Sequence, residues 1–591
     1  MCLIFNIFII KLLLFLIPSE KCNIKLTDAI NGNIRFIFVT GGVMSAVGKG
    51  VATASLGKVL QFRGFNISVV KIDPYLNVDP GTLNPIEHGE CFITEDVWDF
   101  TPVHGSDERS YRISEIDQDF GTYSRFLGIE MHPSHNITSG QIYLSTILSE
   151  RKGKFLGKTV QLIPHVTNII KERLMEISNN ENLDVLLIEC GGTVGDLESS
   201  IFLEAFRQIK LEYPNRTALV HVTLVPYSRA VGQQKSKPTQ HSVKMLQSMG
   251  LQPDVIIGRS EKPLTDDIRS KISLYSNVPE AAVISNPDLD IVYELPILFE
   301  EQGLGDFLCE LIDLKAKLVS YSEVNNYSEW LKMVEMYKSA NKIIKIAMPG
   351  KYFNISDSYI SINDALEHAA AHQGYKTELK MINITEETNI EEELKDCDGI
   401  LLTPGFGGRA VEGMIKSAEY AMENKVPFLG ICFGAQLFFA AFCRKYLGLK
   451  GANSSEINPK TPFPVVDLLK SQEDVTEKGG TMRLGAQKII INENTKLYEA
   501  YKQKEVFERF RHRYHIQERF IDEKAKENGL IISSRDETGE IINSIELDRE
   551  DHWMIGTQFH PEFKSRPYAP SKVYYNFITA CVMYQNKRNR N

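Results

Sequence analysis

Nothing in this 591-residue chain offers the C-x-x-C spacing of a zinc ribbon or a redox pair. Its nine cysteines are scattered and odd in number, which argues against a closed disulfide framework and suits a reducing compartment. Nor is there an excess of positive charge. The formal net charge is −10, so nucleic acid has no electrostatic claim as the main partner. A convincing leader is missing too. Met1 to Ile17 is apolar apart from Asn6 and Lys11, but it lacks a basic n-region and is short for a membrane span. The N-x-[S/T] sites at Asn66 and Asn453 sit where a glycan has no room, one leading into a strand and the other in a pocket segment. Residues 1–34 therefore read as an appendage or a gene-model extension, with a targeting role as the alternative. The expected location is the cytoplasm, with no stable membrane association.

What is present is ordinary in bulk and specific in detail. Hydrophobic residues make up 43% and charged residues 24%, and the length calls for two or more domains. The first specific stretch runs from Val39 to Gly50. An apolar strand, Phe36–Val39, enters a glycine-rich turn, and an apolar-periodic helix follows. Backbone N–H groups in such a turn approach phosphate oxygens, the helix N-terminus favours the anion, and Lys49 adds a point charge. The usual G-x-x-x-x-G-K-[S/T] pattern is not met. Five residues separate Gly42 from Gly48, and Gly50 stands where a magnesium-binding hydroxyl is expected. Carboxylates elsewhere must then hold any metal.

Three further segments supply charge. A second strand ends at Lys71-Ile72-Asp73 and runs into a Pro-, Asn- and Gly-rich loop, Pro74 to Thr82, of the kind that binds ligands at the carboxyl ends of strands. In Glu115-Ile116-Asp117-Gln118-Asp119, an extended segment would put three carboxylates on one face, suited to Mg²⁺ or equally to a solvated edge. The apolar strand Leu183–Ile188 ends in Glu189 and a glycine turn bearing Asp196 and Glu198, and a carboxylate there is the usual second magnesium position beside a phosphate loop. Lys235 to His241 is a compact basic loop, and Lys271 begins an apolar-periodic helix.

Residues 314–342 lose strand character, become polar and helical, and read as a linker with its exposed part at Tyr321 to Asn326. Alternating strands and helices resume at Ile343. Gly430-x-Cys432-x-Gly434, between an apolar strand and an amphipathic helix, is a nucleophile elbow. The following helix N-terminus stabilises thiolate. Gln558 to Phe563 supplies a base, His560, and an orienting acid, Glu562, which share one face if the segment is extended.

From about Arg35 to about Gln585 the chain resembles the glutamine-dependent CTP synthases. The strings that carry the likeness are Lys71–Thr82, Gly191–Asp196, Lys237–Val243 and Gly479–Gly485; the elbow and Gln558–Phe563 are shared with class I glutamine amidotransferases more widely. The resemblance implies an α/β fold: a phosphate-loop, doubly wound amidoligase domain over 35–313, then a glutaminase domain over 343–591. It implies a carbon–nitrogen ligase that makes CTP from UTP with ATP, Mg²⁺ and glutamine. Ser45, Ala46, Val47, Gly48, Lys49, Gly50, Lys71 and Asp119 would bind ATP. Asp119 and Glu189 would hold the metal. Ser45, Asp196, Glu198, Lys235, Lys237, Gln240 and Lys271 would bind UTP, or CTP as feedback inhibitor. Gly405, Phe406, Gln436, Glu456 and Arg513 would bind glutamine beside Cys432, His560 and Glu562. Activation by GTP and a homotetramer, often in filaments, are further implications.

Three departures stand out. Residues 97–114 replace about two in the family and read as a surface loop, with Pro102, Gly105 and five charges but no sustained apolar period. Pro404-Gly405-Phe406-Gly407-Gly408-Arg409 is one glycine short at the oxyanion donor. His515 stands where glutamate is usual. These leave two alternatives: a catalytically weak, filament-forming nucleotide-binding homologue, and another amidoligase of the same architecture.

Overall fold

The computed structural model describes residues 34–103, 109–315, 326–350, 356–476 and 478–590. The leader segment lies outside them. The N-terminal half is built on a seven-stranded parallel sheet. Its strands are β1 (Arg35–Gly41), β2 (Ile67–Asp73), β5 (Asn136–Thr138), β6 (Val185–Cys190), β7 (Thr217–Leu224), Val255–Ser260 and Val283–Pro287. Across the sheet the order is Val283–Pro287, Val255–Ser260, β7, β1, β6, β2, β5. Every pairing is parallel. β1, β2 and β6 are buried on both faces, which is why β1 and β6 read as near-continuous apolar runs rather than alternations, while β2 carries Ser68, Lys71 and Asp73 buried among its apolar residues. The helix Lys49–Gln61 is buried almost all round, as a helix clamped between sheet and neighbours must be.

The 97–114 segment is not a loop. β3 (Phe92–Phe100) and β4 (Tyr111–Ile116) form an antiparallel hairpin that includes both its ends, with Trp98 opposite Ile113 and Phe100 opposite Tyr111. Phe100 and Ile113 are buried, and the Arg173 guanidinium lies 4.4 Å from the Trp98 ring centre. The alternation was hidden because it falls in two short runs separated in sequence by a stretch with Pro102 and Gly105. Nor is 314–342 only a linker. Tyr327–Ser339 is a helix whose Trp330, Met333, Val334 and Tyr337 join the N-terminal core, capped by the Asn326 side chain on Ser328 N.

The C-terminal half holds a nine-stranded mixed sheet. Tyr375–Asn383, Lys342–Gly350, Gly399–Leu402, Phe428–Ile431 and Met554–Thr557 run parallel in that order. Ile542–Leu547, Leu530–Asp536, Arg483–Ile491 and Glu505–His512 continue it antiparallel. The halves meet along buried polar contacts. Arg125 pairs with Asp364 at 2.7 Å, Tyr293 OH meets His368 Nε2 at 2.7 Å, and Arg509 donates to the Ile93 carbonyl at 2.8 Å. No helix among the described residues is long and apolar enough to cross a membrane.

Candidate active sites

Two sites stand on these sheets. The first gathers at the carboxyl ends of β1, β2 and β6. The turn after β1 takes left-handed backbone at Val43, Ala46 and Gly48. Lys49 folds back across Gly41 and donates to the Gly192 carbonyl at 2.9 Å, tying the phosphate-type loop to the turn after β6. Parallel register sets Lys71 directly beside Glu189. Lys71 bonds Asp119, reaches Asp117 at 3.2 Å and Glu189 at 3.6 Å, and lies 3.9 Å from Asp73. Burial alone would discharge this ammonium, but Asp117, Asp119, Glu189 and Asp73 hold it well above its usual range. Asp73, Asp117 and Glu189 are raised in turn, chiefly by burial, Asp73 to about 8.

Three acids on one extended face is not what forms. β4 ends at Ile116, and Asp119 opens the helix Asp119–Leu127. Glu115 turns away to Arg511 in the other half, at 2.7 Å. What remains is Asp119 and Glu189. Glu189 Oε2 accepts from Thr53 at 2.8 Å and Tyr123 at 2.6 Å, while its Oε1 is buried with no hydrogen-bond partner. Asp119 lies over Gly50, where a β-carbon would stand 2.4 Å from Oδ1. An orphaned carboxylate oxygen and an excess of acid over ammonium fit a shared cation, and hard oxygen donors are those Mg²⁺ takes. No cluster of three or more protein ligands for a metal occurs among the described residues, so phosphate or water must complete such a shell.

The residues named from sequence for nucleotide binding fall into two groups. Asp196 accepts from both Thr193 N and Thr193 Oγ1 at 2.7 Å. Lys237 and Gln240 lie on the helix Lys237–Ser248, just after Lys235. Lys237 stands 5.7 Å from the Tyr275 ring, which belongs to the same helix as Lys271. Glu198, Lys237 and Lys271 are exposed and Lys235 is half-buried, with Lys271 paired to Asp267 at 2.5 Å.

The second site is a cavity of about 580 Å³. Cys432, Gln436, Gly405, Phe406, Glu456, Arg513, His560 and Glu562 all line it, so every catalytic and glutamine-site residue named from sequence is brought together. Cys432 has φ 52° and ψ −102°, the strained elbow that aims a side chain out of the strand-to-helix turn. Its flanking glycines are obligatory. A β-carbon on Gly434 would stand 2.2 Å from the Leu402 carbonyl oxygen, and one on Gly430 would stand 2.8 Å from the Gly434 oxygen. The thiol donates to the Arg511 carbonyl at 3.6 Å and accepts from the Gln558 amide at 3.4 Å. His560 precedes a short 3₁₀ turn rather than continuing an extended strand, yet its Nδ1 meets Glu562 Oε1 at 2.7 Å. Burial disfavours charge on this imidazole, but Glu562 and the Cys432 sulfur raise it to about 10. Thiol, imidazole and carboxylate in that relation suit attack on an amide carbonyl.

The shortened glycine loop still delivers Gly405 to the cavity, and Glu456 accepts from Gly407 N at 3.3 Å. Arg513 bonds Gln472, the Lys478 carbonyl at 2.7 Å and Thr481 at 2.9 Å. His515 is bonded to Gln517 at 3.0 Å. Sequence reading missed the residues contributed by the other half: Gly81, Thr82, Glu90 and Cys91 line the same cavity.

A phosphate-type loop with buried acids in one half, and a cysteine elbow in the other, define a two-part ligase with its own amide-hydrolysing site. Residues 354–580 match the family model for class-I glutamine amidotransferase, and residues 35–314 match that for the CTP synthase N-terminus. The CTP synthase of Clostridium kluyveri is 44% identical over 558 residues, covering 94% of this chain and 99% of its own. That of Pyrococcus abyssi is 46% identical over 562 residues, again 94% and 99%. A solved glutaminase domain of Trypanosoma brucei CTPS with bound acivicin aligns with 41% of this chain and 94% of its own, at 29% identity and TM-score 0.37. The chain belongs to the CTP synthase family.

Proposed function

We propose that this protein aminates UTP to CTP, consuming ATP and glutamine and releasing ADP, phosphate and glutamate. Family membership over nearly the whole chain supports the reaction. The single structural observation that carries it is the cavity that holds Cys432 and His560 and is also walled by Gly81, Thr82, Glu90 and Cys91 of the ligase half. Ammonia freed at the thiol is thereby released against the domain that consumes it.

In the glutaminase half, 343–591, Cys432 attacks the glutamine carboxamide. His560 gives its proton to the leaving ammonia, and water then frees glutamate from the thioester. Glu562 orients the imidazole. Gly405 N–H faces the developing oxyanion, and Phe406, Gln436, Glu456 and Arg513 hold the substrate.

In the ligase half, 35–313, with the helix Tyr327–Ser339 packed on its core, Ser45 to Gly50 and Lys71 bind ATP. Ser45, Asp196, Glu198, Lys235, Lys237, Gln240 and Lys271 bind UTP or inhibitory CTP. ATP phosphorylates the uracil O4, and ammonia displaces phosphate from C4. Mg²⁺ held by Asp119 and Glu189 would offset charge on the transferring phosphoryl group. Lys49 and Lys71 add to that role. GTP activation and a homotetramer with filaments belong to the same reading. Exposed Leu156, Leu162, Ile163 and Leu197 support self-association, because isolated copies would leave them wet. The seven described cysteines are all free, which supports a reducing, cytoplasmic setting.

The ordered hairpin and the complete Cys–His–Glu set speak against a weak regulatory homologue. Incubation with UTP, ATP, Mg²⁺ and either glutamine or ammonium tests the proposal. CTP from both is expected; CTP from neither refutes it.

A further inference from the structure

The run Glu115 to Asp119 joins two places that the chemistry keeps apart. At one end Asp119 meets Lys71 among the buried acids. At the other, Glu115 leaves its own half. Its side chain is only 1% exposed, and its Oε1 accepts from Arg511 Nε at 2.7 Å. Arg511 Nη2 donates to the Gly81 carbonyl at 3.1 Å. Gly81 is glycine for this contact, since Glu115 Oε2 lies 2.2 Å from where a β-carbon would stand.

Arg511 also belongs to the cradle of the nucleophile. Its carbonyl accepts the Cys432 thiol at 3.6 Å, and it lines the cavity beside Cys432 and Cys91. Burial opposes the guanidinium charge, but Glu115, Cys91 and Cys432 hold it above its usual range.

We propose that Glu115 is a positioning residue for glutamine hydrolysis: a carboxylate of the ligase half fixes Arg511, and Arg511, whose carbonyl holds the thiol, sets the place of Cys432 in the other half. This deepens the glutamine-dependent reading above and rests on it. Removing one partner leaves the other buried and uncompensated, so the guanidinium must move toward water and take its carbonyl with it. Glutamine hydrolysis then reaches full rate only with the halves docked, while ligase chemistry fed by ammonium does not need the pair.

The test uses the full-length protein with Glu115→Ala, Glu115→Gln and Arg511→Met. Three quantities are read: glutamate release from glutamine, CTP from ammonium, and the rate of Cys432 alkylation by iodoacetamide at one fixed pH, with Cys432→Ala as blank. Both Glu115 variants should lower glutamate release about tenfold or more, as loss of a buried charged partner does. They should change the alkylation rate, because the thiol leaves its place, and keep ammonium-dependent synthesis close to the parent's. Arg511→Met should match them, and its combination with Glu115→Ala should add nothing, because the two act as a unit. Unchanged glutamate release and alkylation rate in a folded variant would overturn the proposal, as would an equal loss of ammonium-dependent synthesis. Should Glu115→Ala fail to fold, the isosteric Glu115→Gln decides. A parent protein that makes no CTP from either nitrogen source refutes the proposed function instead; glutamate release and alkylation then still judge Glu115.

Discussion

Replacing Gly50 by alanine probes the point where the phosphate loop departs from the usual pattern. In the family of loops that carry Ser or Thr after the lysine, a hydroxyl fills this place. Here the Asp119 carboxylate fills it. A β-carbon on Gly50 would stand 2.4 Å from Asp119 Oδ1 and 2.8 Å from its Cγ. Ordinary contact begins at 3.4 Å, so the carboxylate must retreat by about 1 Å. Lys71 bonds the same carboxylate, so the retreat disturbs an ion pair as well. A misplacement of about 1 Å at a reacting centre costs on the order of 100-fold in rate. Stability should not suffer equally, because Gly50 is the second residue of a helix, where alanine is favoured by up to about 1 kcal/mol. Gly50→Ala should therefore melt near the parent temperature, hydrolyse glutamine normally, and lose about 100-fold in CTP formation from glutamine and ammonium alike. Near-parent ammonium-dependent synthesis would show that Asp119 is not placed where the ligase chemistry needs it.

Asp119→Asn or Glu189→Gln should abolish CTP formation from both nitrogen sources, each removing a hard anionic donor that Gly50 cannot replace; substantial turnover in either variant points to another metal site. Exchanging residues 97–114 for Gly-Ala should destabilise the protein rather than leave it untouched, since burying Phe100 and Ile113 contributes about 3–6 kcal/mol at most, and an unchanged melting temperature contradicts the hairpin packing. His560 sets a pH signature. Against burial, Glu562 and Cys432 raise it to about 10, so its stabilisation is complete below the unfolded value of about 6.5 and is lost as pH rises toward 10. The fall in melting temperature between pH 7 and pH 10 should therefore be smaller in Glu562→Gln than in the parent, and an equal fall argues against the His560–Glu562 pair.

Local signals were legible and long-range ones were not. β1, β6, the loop after β1 and the Cys432 elbow each declare themselves within about a dozen residues, because burial on both faces and glycine contacts act locally. His560 and Glu562 are adjacent enough to be paired by eye. Glu115 is different. Its acidic neighbours suggest a cation, but its partner is 396 residues away, and nothing near Arg511 advertises an acid. The hairpin was lost for a related reason: its two short apolar alternations acquire meaning only when Trp98 is set opposite Ile113. The helical character around Tyr327–Ser339 was legible, but the stripe of Trp330, Met333, Val334 and Tyr337 that packs it on the N-terminal core was obscured by the polar stretch before it.

The most direct test of two coupled sites in one chain is Cys432→Ala assayed side by side with glutamine and with ammonium. Without the thiol no thioester forms, so glutamine-dependent CTP synthesis should fall by several orders of magnitude, roughly the scale of losing a covalent nucleophile. Ammonium-dependent synthesis should stay near the parent rate, since the acids around Lys71 lie in the other half. Loss of both activities in a folded Cys432→Ala protein, or persistence of both, would contradict the account.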